Sequence, residues 1–189
     1  MFKYYYFYSY SKLDKSSFNE IIRKSYSYYI DIEFSDDNNG IIMADENFSV
    51  RLLNIYNILL NDLGIAVVFL ETFDLNNLSE LSMKNLIINK EKGVFSLDEV
   101  ILKAYLFKNK EIIDALEKIF DNIDKDLLEC ASYYLKCNLN ASIAANSLYI
   151  HRNTFNYRLN KFIEISKLDI RDYKNSLIFY SYLIFKHQN

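Results

Sequence analysis

Residues 140–162 read Asn140-Ala-Ser-Ile-Ala-Ala-Asn-Ser-Leu-Tyr-Ile-His-Arg-Asn-Thr-Phe-Asn-Tyr-Arg-Leu-Asn-Lys-Phe162, and their spacing predicts two helices joined by a tight turn. Asn140 can cap a short helix over 141–148, with Ile143, Ala144 and Leu148 facing inward. Ala145 is small enough to let two helices pass closely. Tyr149-Ile150-His151 makes a connection of about three residues, as helix-turn-helix units use. A further helix starts near Arg152 and runs to about Ser166. At about 100° per residue, Phe155, Leu159 and Phe162 share one face, with Ile163 at its edge. The opposite face carries Asn153, Tyr157, Asn160 and Glu164, flanked by Asn156 and Lys161, with Thr154 and Arg158 beside Lys161.

Working outward, Leu127, Leu128, Ala131, Tyr134 and Leu135 form the stripe of a preceding helix that ends near Asn138, which makes a three-helix unit. A face of amides, one aromatic and flanking cations suits a major groove, because Asn can bridge adenine N6 and N7 while Arg pairs with guanine or phosphate. The free N–H groups at the start of the last helix can also bind a phosphate beside Arg152 and Thr154.

The amino-terminal part has a different rhythm. Residues 2–8 are a β-prone aromatic run. Ser17-Phe18-Asn19-Glu20 has the S-x-x-E form of a capping box, opening a helix to about Tyr28. Residues 29–34 and 41–44 are strand-like around the turn formers of 35–40, which predicts a hairpin. Apolar residues from Phe48 to Leu63 form a helical stripe that Gly64 stops, and 65–69 suit a central strand. The order βαββαβ predicts a ferredoxin-like α+β domain followed by an all-α helix-turn-helix domain. Asn77 with Glu80 and Ser96 with Glu99 predict two more helix starts, and residues 110–120 a short amphipathic helix. The expected boundaries are 1–92 for the α+β domain, read as a sensor or dimerisation module, 93–125 for a helical connector and 126–189 for the helix-turn-helix domain.

Composition bounds the function. The chain has 189 residues with 22 Lys/Arg against 25 Asp/Glu, a net charge of −3, which excludes a uniformly basic coat for nucleic acid. Divided after residue 125, the first part carries 14 basic and 20 acidic residues and the second 8 and 5, so −3 separates into −6 and +3. The basic excess falls on the end that holds the candidate recognition helix. With Gly40, Gly64 and Gly93 alone, no phosphate-binding or nucleophile-elbow glycine motif exists. His151 and His187 are the only histidines, which leaves few candidates for triad catalysis. Cys130 and Cys137 stand two turns apart on one helix, too far to bridge and without a zinc spacing. The expectation is therefore no enzyme, no cofactor and no metal. No signal peptide is evident and no apolar run nears the ~20 residues of a spanning helix, so a cytoplasmic protein without a membrane partner is expected.

The 140–162 segment looks like the C-terminal helix-turn-helix of the PucR/CdaR-type transcription regulators, a Fis-like motif. Residues 126–135 resemble that family's first helix, 165–170 its exit segment and 177–185 its closing apolar helix, about 65 residues in all. His-Arg-Asn-Thr followed by Tyr-Arg-Leu carries most of the likeness. Residues 93–100 resemble the short segment that precedes the domain. Lys167 and Tyr173 stand where relatives often have Gly and Pro. The resemblance implies double-stranded DNA as partner, a homodimer, an unknown small-molecule effector, and DNA contacts from Arg152, Asn153, Thr154, Asn156, Tyr157, Arg158 and Lys161. Such regulators often carry a degenerate GGDEF-like domain ahead of this motif, which agrees with the βαββαβ order. Here that hairpin reads Ser35-Asp-Asp-Asn-Asn-Gly40, which suits plain turn chemistry and not a nucleotide cyclase. Two other readings stay open. One is a protein-interaction or ligand-sensing module whose helix-turn-helix no longer binds DNA. The other is RNA stacking on Tyr4 and Tyr6 of the first strand, although no RNP-like segment is present.

Overall fold

The computed structural model describes residues 2–45 and 47–186. The chain forms two compact units, residues 1–97 and 98–189. Unit 1 runs β1 (Phe2–Ser9), α1 (Lys15–Ser25), β2 (Ile30–Phe34), β3 (Asn39–Asp45), α2 (Phe48–Asn57, continued by a π-helical turn, Ile58–Asp62), β4 (Val67–Thr72), α3 (Asn77–Ile88) and β5 (Gly93–Ser96). The sheet order is β2-β3-β1-β4-β5, antiparallel except for the parallel β4–β5 pair. The first four strands reproduce the expected βαββαβ ferredoxin-like topology, so the fold class read from the sequence is borne out.

Alternation along β1 explains the layering. Tyr5 and Phe7 point into a core with Phe18 and Ile22 of α1 and Phe48, Leu52 and Ile55 of α2. Tyr5 meets Phe48 edge-on at 4.9 Å between ring centroids, and Phe7 lies 4.8 Å from Phe18. Tyr6 and Tyr8 face the other way and line a cleft with Met83 and Ile87 of α3. Helices therefore cover both faces near β4, which is why all six residues of that strand are buried. The register sets Phe7 against Gly40 on one side and Phe69 on the other. Gly40 is required there: a Cβ would lie 2.1 Å from the Glu33 carbonyl oxygen and 2.7 Å from the Phe7 ring.

Several local expectations shift. Gly93–Ser96, assigned to a helical connector, is a fifth strand paired with β4, while the following helices group with unit 2. Asp14, not Ser17, caps α1: its carboxylate accepts from the Ser16 N–H at 3.2 Å and the Ser17 hydroxyl at 2.6 Å. Asn76, not Asn77, caps α3 by accepting from the Ser79 N–H at 3.0 Å. In the β2–β3 turn, Asp36 Oδ1 accepts from the N–H groups of Asn38 and Asn39 at 2.6 and 2.9 Å. Asp37 pairs with Lys12 at 2.8 Å and Lys15 at 3.4 Å. Both aspartates of the turn are thus engaged in holding the hairpin.

Unit 2 is helical: α4 (Leu97–Leu106, starting at the last residue of unit 1), α5 (Lys110–Asp121), α6 (Lys125–Lys136), α7 (Ala141–Ser147), α8 (Arg152–Ser166) and α9 (Tyr173–Lys186). Its core is a cluster of rings from three helices. Phe162 of α8 lies 4.9 Å from Phe179 of α9, and Phe120 of α5 lies 4.4 Å from Tyr182. Removing one such buried ring costs about 3–5 kcal/mol, so these contacts fix α8 against its neighbours. Among the described residues no helix is long and apolar enough to cross a membrane.

Candidate nucleic-acid interface

The sequence of α6, α7 and α8 dictates how the polar face of α8 is presented. Leu127, Cys130, Ala131 and Tyr134 are the buried positions of α6, and Phe155, Leu159, Phe162 and Ser166 those of α8. The small residues Ala144 and Ala145 of α7 are fully buried, so that short helix seats closely. Asn140 caps α7 by accepting from the N–H groups of Ser142 at 3.0 Å and Ile143 at 3.1 Å. Ile143, expected to face inward, is 54% exposed. Its alanine neighbours supply the contact surface that a seven-residue helix can offer, and Ile143 lies outside it.

The turn into α8 is built from backbone hydrogen bonds. Ile150 N–H donates to the Ala145 carbonyl at 3.1 Å and Tyr149 N–H to Asn146 at 3.1 Å. Tyr149 takes a left-handed conformation, φ 55°, with its side chain 98% exposed. His151 then serves as the N-cap. Its Nδ1 accepts the Asn153 N–H at 3.2 Å and its carbonyl accepts from Phe155 at 3.0 Å. Sequence reasoning placed His151 in the connection and missed this capping role. The signal was its position immediately before the first helical residue.

Beyond the cap, Arg152, Asn153, Thr154, Tyr157, Asn160 and Glu164 are exposed and Asn156 is half-buried, on the side away from Phe155, Leu159 and Phe162. Of the seven expected contact residues, Asn153, Thr154, Asn156 and Tyr157 thus lie along the outer side of α8, Arg152 is exposed in its first turn and Lys161 is half-buried farther along it. Arg158 is placed differently. It is half-buried and reaches back to Asp126 at the start of α6, with Nη2 2.9 Å from the carboxylate. It also bears on Cys130, whose thiol burial pushes up while Arg158 opposes the shift. Lys161 is partly engaged along its own helix, 3.1 Å from Glu164.

The far end of α8 explains the two unusual residues noted in the sequence. Lys167 ends the helix with φ 59°, the left-handed position that glycine occupies without strain. Ser166 supports the turn: its hydroxyl donates to the Phe162 carbonyl at 2.8 Å and accepts from the Leu168 N–H at 3.1 Å. Tyr173 is the first residue of α9, after Asp172, whose carboxylate accepts the Asn175 N–H at 3.1 Å. Proline is favoured at that first position. Both substitutions keep the backbone that the glycine and proline would shape.

The geometry defines a helix-turn-helix unit with α7 supporting and α8 presented. Comparison with known proteins agrees: residues 127–184 match the PucR C-terminal helix-turn-helix domain, and the resemblance to PucR/CdaR-type transcription regulators is borne out. The chain is 23% identical over 197 residues to the uncharacterized protein YxkF of Bacillus subtilis, covering 94% of this chain and 66% of that one. It is 23% identical over 154 residues to the DNA-binding transcriptional activator AdeR of Bacillus subtilis, covering 76% of this chain and 35% of AdeR. It is 35% identical over 69 residues to the proline-responsive transcriptional activator PutR of the same organism, covering 36% of this chain and 16% of PutR. The chain therefore spans less than two thirds of the length of each of these relatives.

Proposed function

We propose that the protein is a sequence-specific double-stranded DNA-binding transcription regulator that acts as a dimer in the cytoplasm and reads its operator with α8. The observation that carries this reading is the exposed face of Asn153, Tyr157 and Asn160. It lies opposite a buried Phe155–Leu159–Phe162 ridge and directly after a capped, tightly turned helix start. Asn153 and Asn156 are the candidates for adenine edges, Arg152 and Thr154 for phosphate at the first turn, and Tyr157 for a thymine methyl or the sugar backbone. Lys161 adds a backbone contact. Arg158 holds α8 to α6 through Asp126, so its contribution combines orientation of the helix with any contact of its own. One such unit covers a small footprint, and a dimer would read two half-sites about one helical turn apart. The acidic unit 1 adds no phosphate affinity and suits an effector-sensing or assembly role. The transcriptional activators AdeR and PutR support the regulatory reading.

Selection of binding sites from random duplex DNA, followed by footprinting on the recovered sequence, tests this. The expected result is a protected element whose affinity falls steeply with salt. A failure to enrich any sequence, with no salt-dependent affinity for duplex DNA, would remove the assignment. That outcome would leave the second reading, a protein-interaction or ligand-sensing module. The engagement of Arg158 with Asp126 and of Lys161 with Glu164, which thins the basic surface, favours that alternative.

A further inference from the structure

From Leu177 to Phe185, helix α9 carries apolar or aromatic residues on every side, interrupted by Ser181 alone, a pattern ordinarily found in interior helices. Phe179 and Tyr182 are buried inside unit 2, yet Tyr173, Tyr180 and Ile184 on the other side are 71%, 52% and 37% exposed. Positions 173, 177, 180 and 184 follow one another at helical spacing and form a straight stripe. Together with Leu135 and Leu139 of the α6 end, this stripe walls an open groove of about 790 Å³. An apolar surface of this extent marks an interaction site.

The charges beside the groove identify the occupant. Glu129 and Lys136 are exposed on α6, two helical turns apart, with the small residue Ser132, which lines the groove, between them. Among the described residues neither belongs to an ion pair, and Lys136 lies over the Tyr133 ring at 5.2 Å. When two copies of a helix pack antiparallel about a two-fold axis, residues whose numbers have a constant sum stand opposite. An axis beside Ser132 therefore sets Glu129 of each copy against Lys136 of the other. The surface is complementary to itself, and Ser132 at the axis permits close approach.

We propose that the α6–α9 face is where a second copy of this chain docks, through an isologous contact with two Glu129–Lys136 pairs flanking the apolar groove. This rests on the dimeric reading above and assigns its interface. Leu135, Leu177 and Tyr180 supply the apolar centre, and the two charge pairs fix the register and the antiparallel direction.

The test is sedimentation velocity on the full chain across a concentration series, with circular dichroism as a control for folding. The wild type is expected to dimerise. Tyr180→Glu, at a half-exposed position that leaves the protomer intact, is expected to be monomeric with an unchanged spectrum. Glu129→Lys and Lys136→Glu singly are each expected to weaken the dimer about tenfold or more. The double variant Glu129→Lys/Lys136→Glu is expected to regain most of the loss, which a merely structural role for either residue would not produce. A monomeric wild type, a Tyr180→Glu dimer of undiminished strength, or a double variant no better than the product of the two singles overturns the proposal. Binding of each variant to duplex DNA separates the two readings. A chain that binds DNA as a monomer retains the DNA-reading function and loses this interface. A dimer dissociated by Tyr180→Glu that never binds DNA retains the interface and loses the function.

Discussion

Unit 1 holds all three glycines of the chain, and unit 2 makes its sharp turns without any. At Gly40 the reason is space: β2, β3 and the Phe7 ring close on the position where a side chain would begin. In unit 2, Lys108, Asn138, Leu139, Tyr149 and Lys167 instead adopt the left-handed conformation with side chains attached, each at a cost of about 1 kcal/mol. Two of these residues, Tyr149 and Lys167, bracket α8. Unit 1 thus uses Gly40 where atoms meet and Gly64 and Gly93 where φ is positive, at 67° and 131°, with Lys90 its left-handed exception at 54°, whereas the helical unit accepts strain at both ends of the helix it presents. Strain persists where the surroundings over-determine the backbone, and the hydrogen bonds around Ala145–Ile150 and Ser166–Leu168 supply that constraint here.

The comparison can be broken first at Gly40. Gly40→Ala should destabilise unit 1 by roughly 3 kcal/mol through overpacking against backbone, measured by urea unfolding. A loss under about 1 kcal/mol would mean that the hairpin gives way easily. In unit 2 the corresponding substitutions should have the opposite sign. Lys167→Gly should raise stability by about 1 kcal/mol by relieving the left-handed strain, and thermal unfolding with a raised midpoint would show it. Tyr149→Gly should gain a similar amount, and because its side chain is exposed, any change in DNA affinity would report contact rather than folding. His151→Ala should lose about 1 kcal/mol as the cap disappears, while His151→Ser should retain most of the stability. Equal losses in the two variants would contradict the capping role. Asp126→Ala should have the smallest effect, about 0.5 kcal/mol, because the carboxylate paired with Arg158 is 67% exposed and solvent screens the pair.

The periodic elements of this protein were legible in the sequence. Phe155, Leu159 and Phe162 repeat at helical spacing, so the core side of α8 and the polar side opposite it followed directly. The βαββαβ order followed from turn formers between apolar runs. Two features depended on partners distant in the chain, and a third on a choice between neighbouring caps. Gly93–Ser96 is too short for alternation to show and becomes a strand only by pairing with β4. Arg158 looked like a free cation until α6 brought Asp126 to it across 32 residues. The S-x-x-E pattern at Ser17 competed with Asp14 three residues earlier, and Asp14 won because it stands where the chain enters the helix. The role of His151 was hidden for another reason: a histidine cap depends on which ring nitrogen accepts, and only the geometry shows that.

The central claim, that the outer face of α8 reads duplex DNA, is tested most directly by fluorescence anisotropy on the selected duplex. Wild type is compared with Asn153→Ala/Tyr157→Ala, two exposed positions whose replacement leaves the core of α8 untouched. Each lost base contact is worth about 1–3 kcal/mol, so the account predicts at least a thirtyfold loss of affinity for that duplex, with the preference over a scrambled sequence largely abolished and the circular dichroism spectrum unchanged. Undiminished affinity and preference in that double variant would contradict it.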